Sequence, residues 1–216
     1  MKTNEKKKMN PKATSPKTRS REVTCKKLMD AGLKVFCKHG YDAATTKLVA
    51  KESGVNESLI NRYFQGKEGL LNTIIETLAK ELTLKMVDYP QGETLEQEVY
   101  NHLSSRFEAM VENQRFIKIA ISRSLIENEA KSKLNKALKA TTHEGAPQIL
   151  VDRLTEFQKK GLIRSDVNIY RTAVSISLLG LSTFIFAHLQ MDISREIILK
   201  IYQDFSRDYA KGMSPI

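Results

Sequence analysis

Thirty-one residues constrain this chain more than any other stretch: Tyr41 to Leu71, YDAATTKLVAKESGVNESLINRYFQGKEGLL. Its apolar spacing predicts two short helices joined by a tight turn, with a third helix beginning just beyond. Thr45 is placed to cap the first, its hydroxyl accepting from the free N–H groups of the opening turn. Gly54 follows the last periodic residue, where a left-handed backbone ends a helix at low cost. Asn56 is placed to cap the second helix, which runs to about Phe64. Ile60 and Phe64 lie four apart and share a face to bury. Glu57, Ser58, Leu59, Asn61 and Arg62 are left on or near the opposite face. A helix, a glycine-containing turn and a second helix with an outward polar face make a helix-turn-helix, a unit that reads DNA in the major groove.

The rest of the chain supplies a scaffold for that unit. At 216 residues, 41% of them hydrophobic, one or two globular domains with a substantial core are expected. A first helix is predicted from about Arg21 to His39, its stripe formed by Leu28, Ala31, Gly32, Val35 and Phe36, with Gly40 beyond its end and Tyr41 folding back onto Phe36. A fourth runs from Lys67 to about Asp88, long enough to enter both halves of the chain, and Pro90-Gln91-Gly92 ends it. Beyond it the pattern is entirely helical. Thr94 and Gln97 open a helix to about Asn113 as a capping box. Helices follow over about Arg115 to Glu127, Ala130 to Thr141 and Ala146 to Lys160. Asp166 caps a long one to Gln190, and Asp192 or Ser194 caps the last, ending at Gly212. The fold class expected is all-α. The domains expected are a disordered basic arm over 1–20, a three-helix DNA-binding domain over 21–66 and a helical effector-binding and dimerisation domain over 67–216.

The net charge of +10 is unevenly placed. Residues 1 to 21 carry eight Lys or Arg against one Glu, whereas residues 22 to 90 carry ten against nine and the remainder seventeen against fifteen. The basic excess is therefore a tail, poor in apolar residues, that either follows DNA phosphates or remains a solvated leader. Cys25 and Cys37 fall in one predicted helix about 18 Å apart at 1.5 Å per residue, too far to bridge, which fits a reducing cytoplasm. Thr172 to Met191 holds no charge. Its serines, threonine, histidine and glutamine make it too polar for a confident membrane span, so it is read as a helix buried on most sides, partly by a second subunit. No catalytic triad, Gly-rich phosphate loop, HExxH or clustered Cys/His set is visible. Neither a cofactor nor a metal is expected, and an enzyme is disfavoured.

Phe36, Gly40-Tyr41, Ala44-Thr45-Thr46, Val49-Ala50, Gly54-Val55, Tyr63-Phe64, Lys67-Glu68 and Leu70-Leu71 together give the chain a specific likeness. Over roughly residues 21 to 75 it resembles the tetracycline-repressor (TetR) family of bacterial transcriptional regulators. The resemblance implies that the third helix enters the major groove, with Glu57, Ser58 and Leu59 at base-reading positions beside the cap Asn56. It puts Thr45, Thr46, Arg62, Tyr63 and Lys67 at phosphate-touching positions. Asn61 stands where the family usually has tyrosine; asparagine can donate to a phosphate or read adenine. Arg62 suits phosphate or guanine, Leu59 a thymine methyl, and Glu57 cytosine N4.

The resemblance also implies a homodimer on an inverted-repeat operator in double-stranded DNA, released by a small-molecule effector. The interface is expected at Ser177, Gly180, Phe184, Ile197, Ile201 and Phe205, with Ser177 and Gly180 permitting close approach. The effector pocket is expected among Met86, His102, Phe107, Met110, Phe116, Ile119, Arg123 and Phe184, and an inward Arg106 or Arg123 would favour an anionic or polar effector. A DNA-binding dimer with no small-molecule effector is the alternative.

Overall fold

The computed structural model describes residues 16–139, 142–143 and 146–215. It is built from helices α1 (Pro16–His39), α2 (Thr46–Ser53), α3 (Ser58–Phe64), α4 (Lys67–Val87), α5 (Leu95–Glu112), α6 (Gln114–Ile126), α7 (Asn128–Leu138), α8 (Gln148–Lys159), α9 (Ile169–Ser182) and α10 (Arg195–Met213). One two-residue antiparallel pair, Thr142–His143 with Ala146–Pro147, interrupts an otherwise all-α fold. The described residues group into two compact units, dividing between Leu71 and Asn72.

Unit 1 forms around α1. Leu28, Ala31, Val35 and Phe36 are buried along one stripe, as their spacing predicts. Val49 of α2 and Ile60 and Phe64 of α3 are buried too, and full burial of each such side chain stabilises the fold by roughly 1.5–3 kcal/mol. The Tyr41 ring packs on Phe36 with centroids 5.6 Å apart. α1 begins at Pro16 rather than Arg21, because proline fits a first helical turn, where no backbone N–H is required. Of the expected basic arm, 16–20 are helical, and 1–15 lie outside the described residues.

Unit 2 is organised around α5, which packs along α10 on one side and α9 on another. Its start is the capping box foreseen at Thr94: the Thr94 hydroxyl accepts from Gln97 N at 3.2 Å, and Gln97 Oε1 accepts from Thr94 N at 3.4 Å. Val99, Leu103, Phe107 and Met110 form the buried face. Two boundaries differ from the sequence reading. The helix expected from Ala146 begins at Gln148, because a residue before proline is pushed out of the helical region and Ala146 precedes Pro147. The helix expected to be capped by Asp166 is capped by Asn168, whose side chain accepts from Arg171 N at 2.9 Å, while Asp166 accepts from Arg164 Nε instead. After α9 the helix widens into a π-helical run, Thr183–Gln190, a form associated with functional sites. Ile169–Gln190 is long and apolar enough to cross a membrane (mean hydropathy 1.7), with 28% of its most apolar window buried inside the chain.

Candidate nucleic-acid interface

α2 and α3 are positioned by their ends. Thr45 Oγ1 accepts from Leu48 N at 3.2 Å, and Gly54 closes α2 in the left-handed region at φ 65°. Asn56 does the capping expected of it: its Oδ1 accepts from Ser58 N at 2.9 Å and from Ser58 Oγ at 2.7 Å, while its carbonyl takes Leu59 N. Behind α3, Ile60 is fully buried and Phe64 nearly so, which fixes which face looks outward. Gly69 secures the far end. A Cβ there would fall inside the van der Waals envelope of the Phe64 carbonyl, so only glycine lets the start of α4 approach the end of α3 this closely.

The outward ridge carries Asn56, Glu57, Ser58, Asn61 and Arg62 exposed, with Leu59 and Tyr63 half-buried beside them. Several of these groups are already engaged. Thr46 donates its hydroxyl to Glu57 Oε1 at 2.6 Å, linking the start of α2 to the start of α3. The Tyr63 ring lies between two guanidinium groups, Arg21 at 5.2 Å and Arg62 at 6.0 Å from its centroid. Arg21 was not among the sequence candidates; only the packing of α1 reveals that it stands beside the recognition helix.

Lys67 is engaged within unit 1. Its ammonium donates to the carbonyls of Tyr41 and Ala44 at 2.9 Å and reaches that of Asp42 at 3.4 Å, and it lies 4.3 Å from the Tyr41 ring centroid. A cation so engaged shapes the loop before α2.

In unit 2 the structure divides the expected interface residues. Ser177, Gly180 and Phe184 face the interior, which corrects their placement on a subunit contact. The Ser177 hydroxyl donates to Ala173 O, a Cβ on Gly180 would sit 3.3 Å from Leu103 Cδ2, and Phe184 packs edge-on against Phe107 at 6.2 Å. The exposed apolar residues of α9 are one position out of phase, at Leu178 and Leu181, and α10 likewise exposes Ile197 and Ile201. Phe205 is half-buried and stacks on Tyr209.

Of the expected pocket residues, Phe107 and Phe184 belong to one aromatic cluster and His102 to a separate contact with Tyr89. Tyr89 meets His102 at 5.2 Å, and Phe107 meets His188 at 5.3 Å and Tyr202 at 5.9 Å. Met86, Met110 and Phe116 are ordinary buried core, Ile119 is half-buried, and Arg123 is ion-paired to Glu127. The sequence reading missed the buried acid of this domain. Glu98, fully buried, accepts from Tyr89 Oη at 2.9 Å, from Gly92 N at 2.8 Å and from Arg153 Nη1 at 3.3 Å. Burial and this carboxylate push the Tyr89 hydroxyl pKa far up, so it stays a donor. Burial raises Tyr202 to about 12, and its hydroxyl bonds to Thr183 in the π-helical run.

Comparison with known proteins agrees with this geometry. The profile of "Bacterial regulatory proteins, tetR family" matches residues 28–74, the span of the helix-turn-helix. The HTH-type transcriptional regulator BetI of Vibrio campbellii is 35% identical over 68 residues, 32% of this chain and 34% of that protein. The match thus spans about a third of that relative's length. Among solved structures, the fatty acid degradation regulator FadR from Bacillus halodurans aligns over 90% of this chain and 96% of its own, with a TM-score of 0.63 and 20% identity. FadR from Bacillus subtilis, solved in complex with stearoyl-CoA, aligns over 86% and 95% with a TM-score of 0.60 and 20% identity. A helix-turn-helix built from these residues coincides with the matched profile: residues 28–74 resemble the DNA-binding segment of bacterial regulators of the tetR family, and the chain as a whole shares its fold with the two FadR structures.

Proposed function

We propose that the protein is a cytoplasmic, ligand-responsive transcriptional repressor that binds an inverted-repeat operator as a homodimer and leaves it when a small molecule binds the second unit. The observation that carries the reading is the outward face of α3. Asn61 and Arg62 are exposed, Tyr63 is flanked by Arg21 and Arg62, and Ile60 and Phe64 hold the helix from behind. This supports Glu57, Ser58 and Leu59 as base-reading positions, and Thr45, Asn61, Arg62, Tyr63 and Arg21 as contacts to the phosphate backbone. Thr46 acts through Glu57, whose carboxylate it orients.

A homodimer is supported by the apolar residues Leu178, Leu181, Ile197 and Ile201, which their own chain leaves uncovered. Such exposure is costly in water unless a second copy covers it, and the same cover accounts for the apolar length of Ile169–Gln190 without a membrane. Two recognition helices also read enough base pairs to find a site, which one does not. An effector is supported by the family and by the FadR relative seen with stearoyl-CoA. The test selects bound fragments from the source genome with purified protein, then titrates one such fragment with wild type and Leu178→Glu/Ile201→Glu. Wild type should bind as a dimer and protect a palindrome. A double variant that becomes monomeric yet binds equally well would remove the dimer from the reading.

A further inference from the structure

Glu57 and Ser58, where the turn enters α3, share a property: neither side chain has a proton to offer DNA. The Glu57 carboxylate is exposed, and its Oε1 accepts the Thr46 hydroxyl proton at 2.6 Å. Among the described residues Glu57 has no ion pair, so its remaining lone pairs are open. Asn56 Oδ1 accepts from Ser58 N at 2.9 Å; a backbone N–H only donates, which fixes that atom as the amide oxygen. The Ser58 hydroxyl reaches the same oxygen at 2.7 Å, so its single proton is used there and Oγ is left as an acceptor. The backbone beneath is held as well. Leu59 N donates to Asn56 O and Ile60 N to Glu57 O, both at 3.0 Å, and Ile60 is fully buried behind them.

Such groups match only part of a major groove. Guanine shows N7 and O6 there, and thymine O4 and a methyl group, none of which donates. The donors are cytosine N4 and adenine N6. The two bases differ beside the amino group. Adenine places its N7 lone pair next to it, which repels a carboxylate, whereas cytosine places a C–H there. A carboxylate brought among phosphates is unfavourable by like-charge repulsion, and only an amino group that meets it offsets this. A free glutamate would also lose rotamer freedom on meeting a base; the Thr46 bond has already removed part of that freedom.

We propose that Glu57 is a specificity-determining residue that selects cytosine on the strand it meets, and that Thr46 is its positioning residue. The proposal rests on the DNA-binding reading above and names the base which that reading takes at this position. Ser58, left as an acceptor too, gives a guanine or thymine at the same place no donor to bind instead.

Full-length wild type, Glu57→Ala, Thr46→Val and Thr46→Ser each select a preferred site from a random duplex library. C·G pairs should stand in the wild-type site wherever Glu57→Ala loses its preference. Fluorescence anisotropy then compares that site with a copy whose cytosine is replaced by the pyrimidinone analogue that lacks only the exocyclic amino group. Wild type should lose about 5–50-fold in affinity, and Glu57→Ala no more than about twofold. Glu57→Ala should also bind unrelated DNA more tightly, because a negative charge has left the phosphates. Thr46→Val should shrink the wild-type loss about threefold or more, and Thr46→Ser should restore it. A threonine that only supported the fold would weaken binding to both duplexes alike. An A·T pair at the altered position, or an equal loss with Glu57→Ala, overturns Glu57 as the selector, and an equal loss with Thr46→Val overturns Thr46 as its positioner. A palindrome selected by wild type and unchanged in Glu57→Ala leaves the operator reading intact and defeats this one alone; no preferred sequence at all defeats both.

Discussion

Replacing Lys67 by methionine separates two roles for one cation. Methionine keeps most of the apolar stem and removes only the ammonium. In this structure the ammonium holds two carbonyls at 2.9 Å and a third at 3.4 Å, and sits over the Tyr41 ring. A hydrogen bond to a charged group contributes about 1.5–3 kcal/mol and the ring contact about 0.5–1, but these carbonyls are partly exposed and water replaces some of the loss. The net cost is about 2 kcal/mol, localised to the loop before α2. Hydrogen exchange should therefore quicken about 30-fold at the amides of α2 and α3. Operator affinity should fall as well, because the ridge is less firmly held. The slope of log affinity against log salt, however, should not change. A phosphate contact would reduce that slope by about 0.9 per copy, or about 1.8 for a dimer. Unchanged exchange together with a reduced slope would refute the positioning role and make Lys67 a DNA contact.

Other substitutions test the rest of the scaffold. Gly69→Ala should weaken operator binding at least tenfold and cost about 1–2 kcal/mol by thermal melting, because overpacking against the Phe64 carbonyl outweighs alanine's helix preference; Gly212→Ala, with nothing near its Cβ, should be neutral or slightly stabilising. Glu98→Leu leaves Arg153 buried without its carboxylate and should cost about 3–5 kcal/mol in urea unfolding, whereas Glu98→Leu/Arg153→Met should recover most of that. His102 gives a pH signature. Burial, then the charges of Arg106 and Arg153, hold its folded pKa well below the usual 6.5, so the unfolded chain takes up a proton that the fold refuses. That contribution to stability is present above about pH 6.5 and is lost as pH falls, about 1.4 kcal/mol by pH 5.5, and His102→Gln should remove this dependence.

Local chemistry was legible in the sequence. The caps at Thr45, Asn56 and Thr94, the left-handed Gly54 and the stripes of α1 and α5 each depend on residues within a turn or two, and all are present in the structure. What was not legible depends on partners far along the chain. Lys67 is a surface lysine by local pattern; its acceptors lie 23 to 26 residues away. Glu98 reads as an ordinary helical glutamate until Arg153, 55 residues on, packs against it. The outward phase of α9 escaped for another reason. Nearly every position from Thr172 onward is apolar or small, so periodicity barely separates Ser177, Gly180 and Phe184 from Leu178 and Leu181, and only the packing of Leu103 and Phe107 decides. The start of α8 is also a local matter, since Pro147 pushes Ala146 out of the helical region.

The account stands on α3 meeting DNA with its Arg62 face. Hydroxyl-radical footprinting on a genomic fragment selected by the full-length protein, with wild type and Arg62→Ala side by side, tests this most directly. Wild type should protect two backbone patches related by a two-fold axis and separated by a whole number of helical turns, and Arg62→Ala should need at least tenfold more protein for the same protection. Equal protection by Arg62→Ala, or binding that favours no sequence at all, would contradict it.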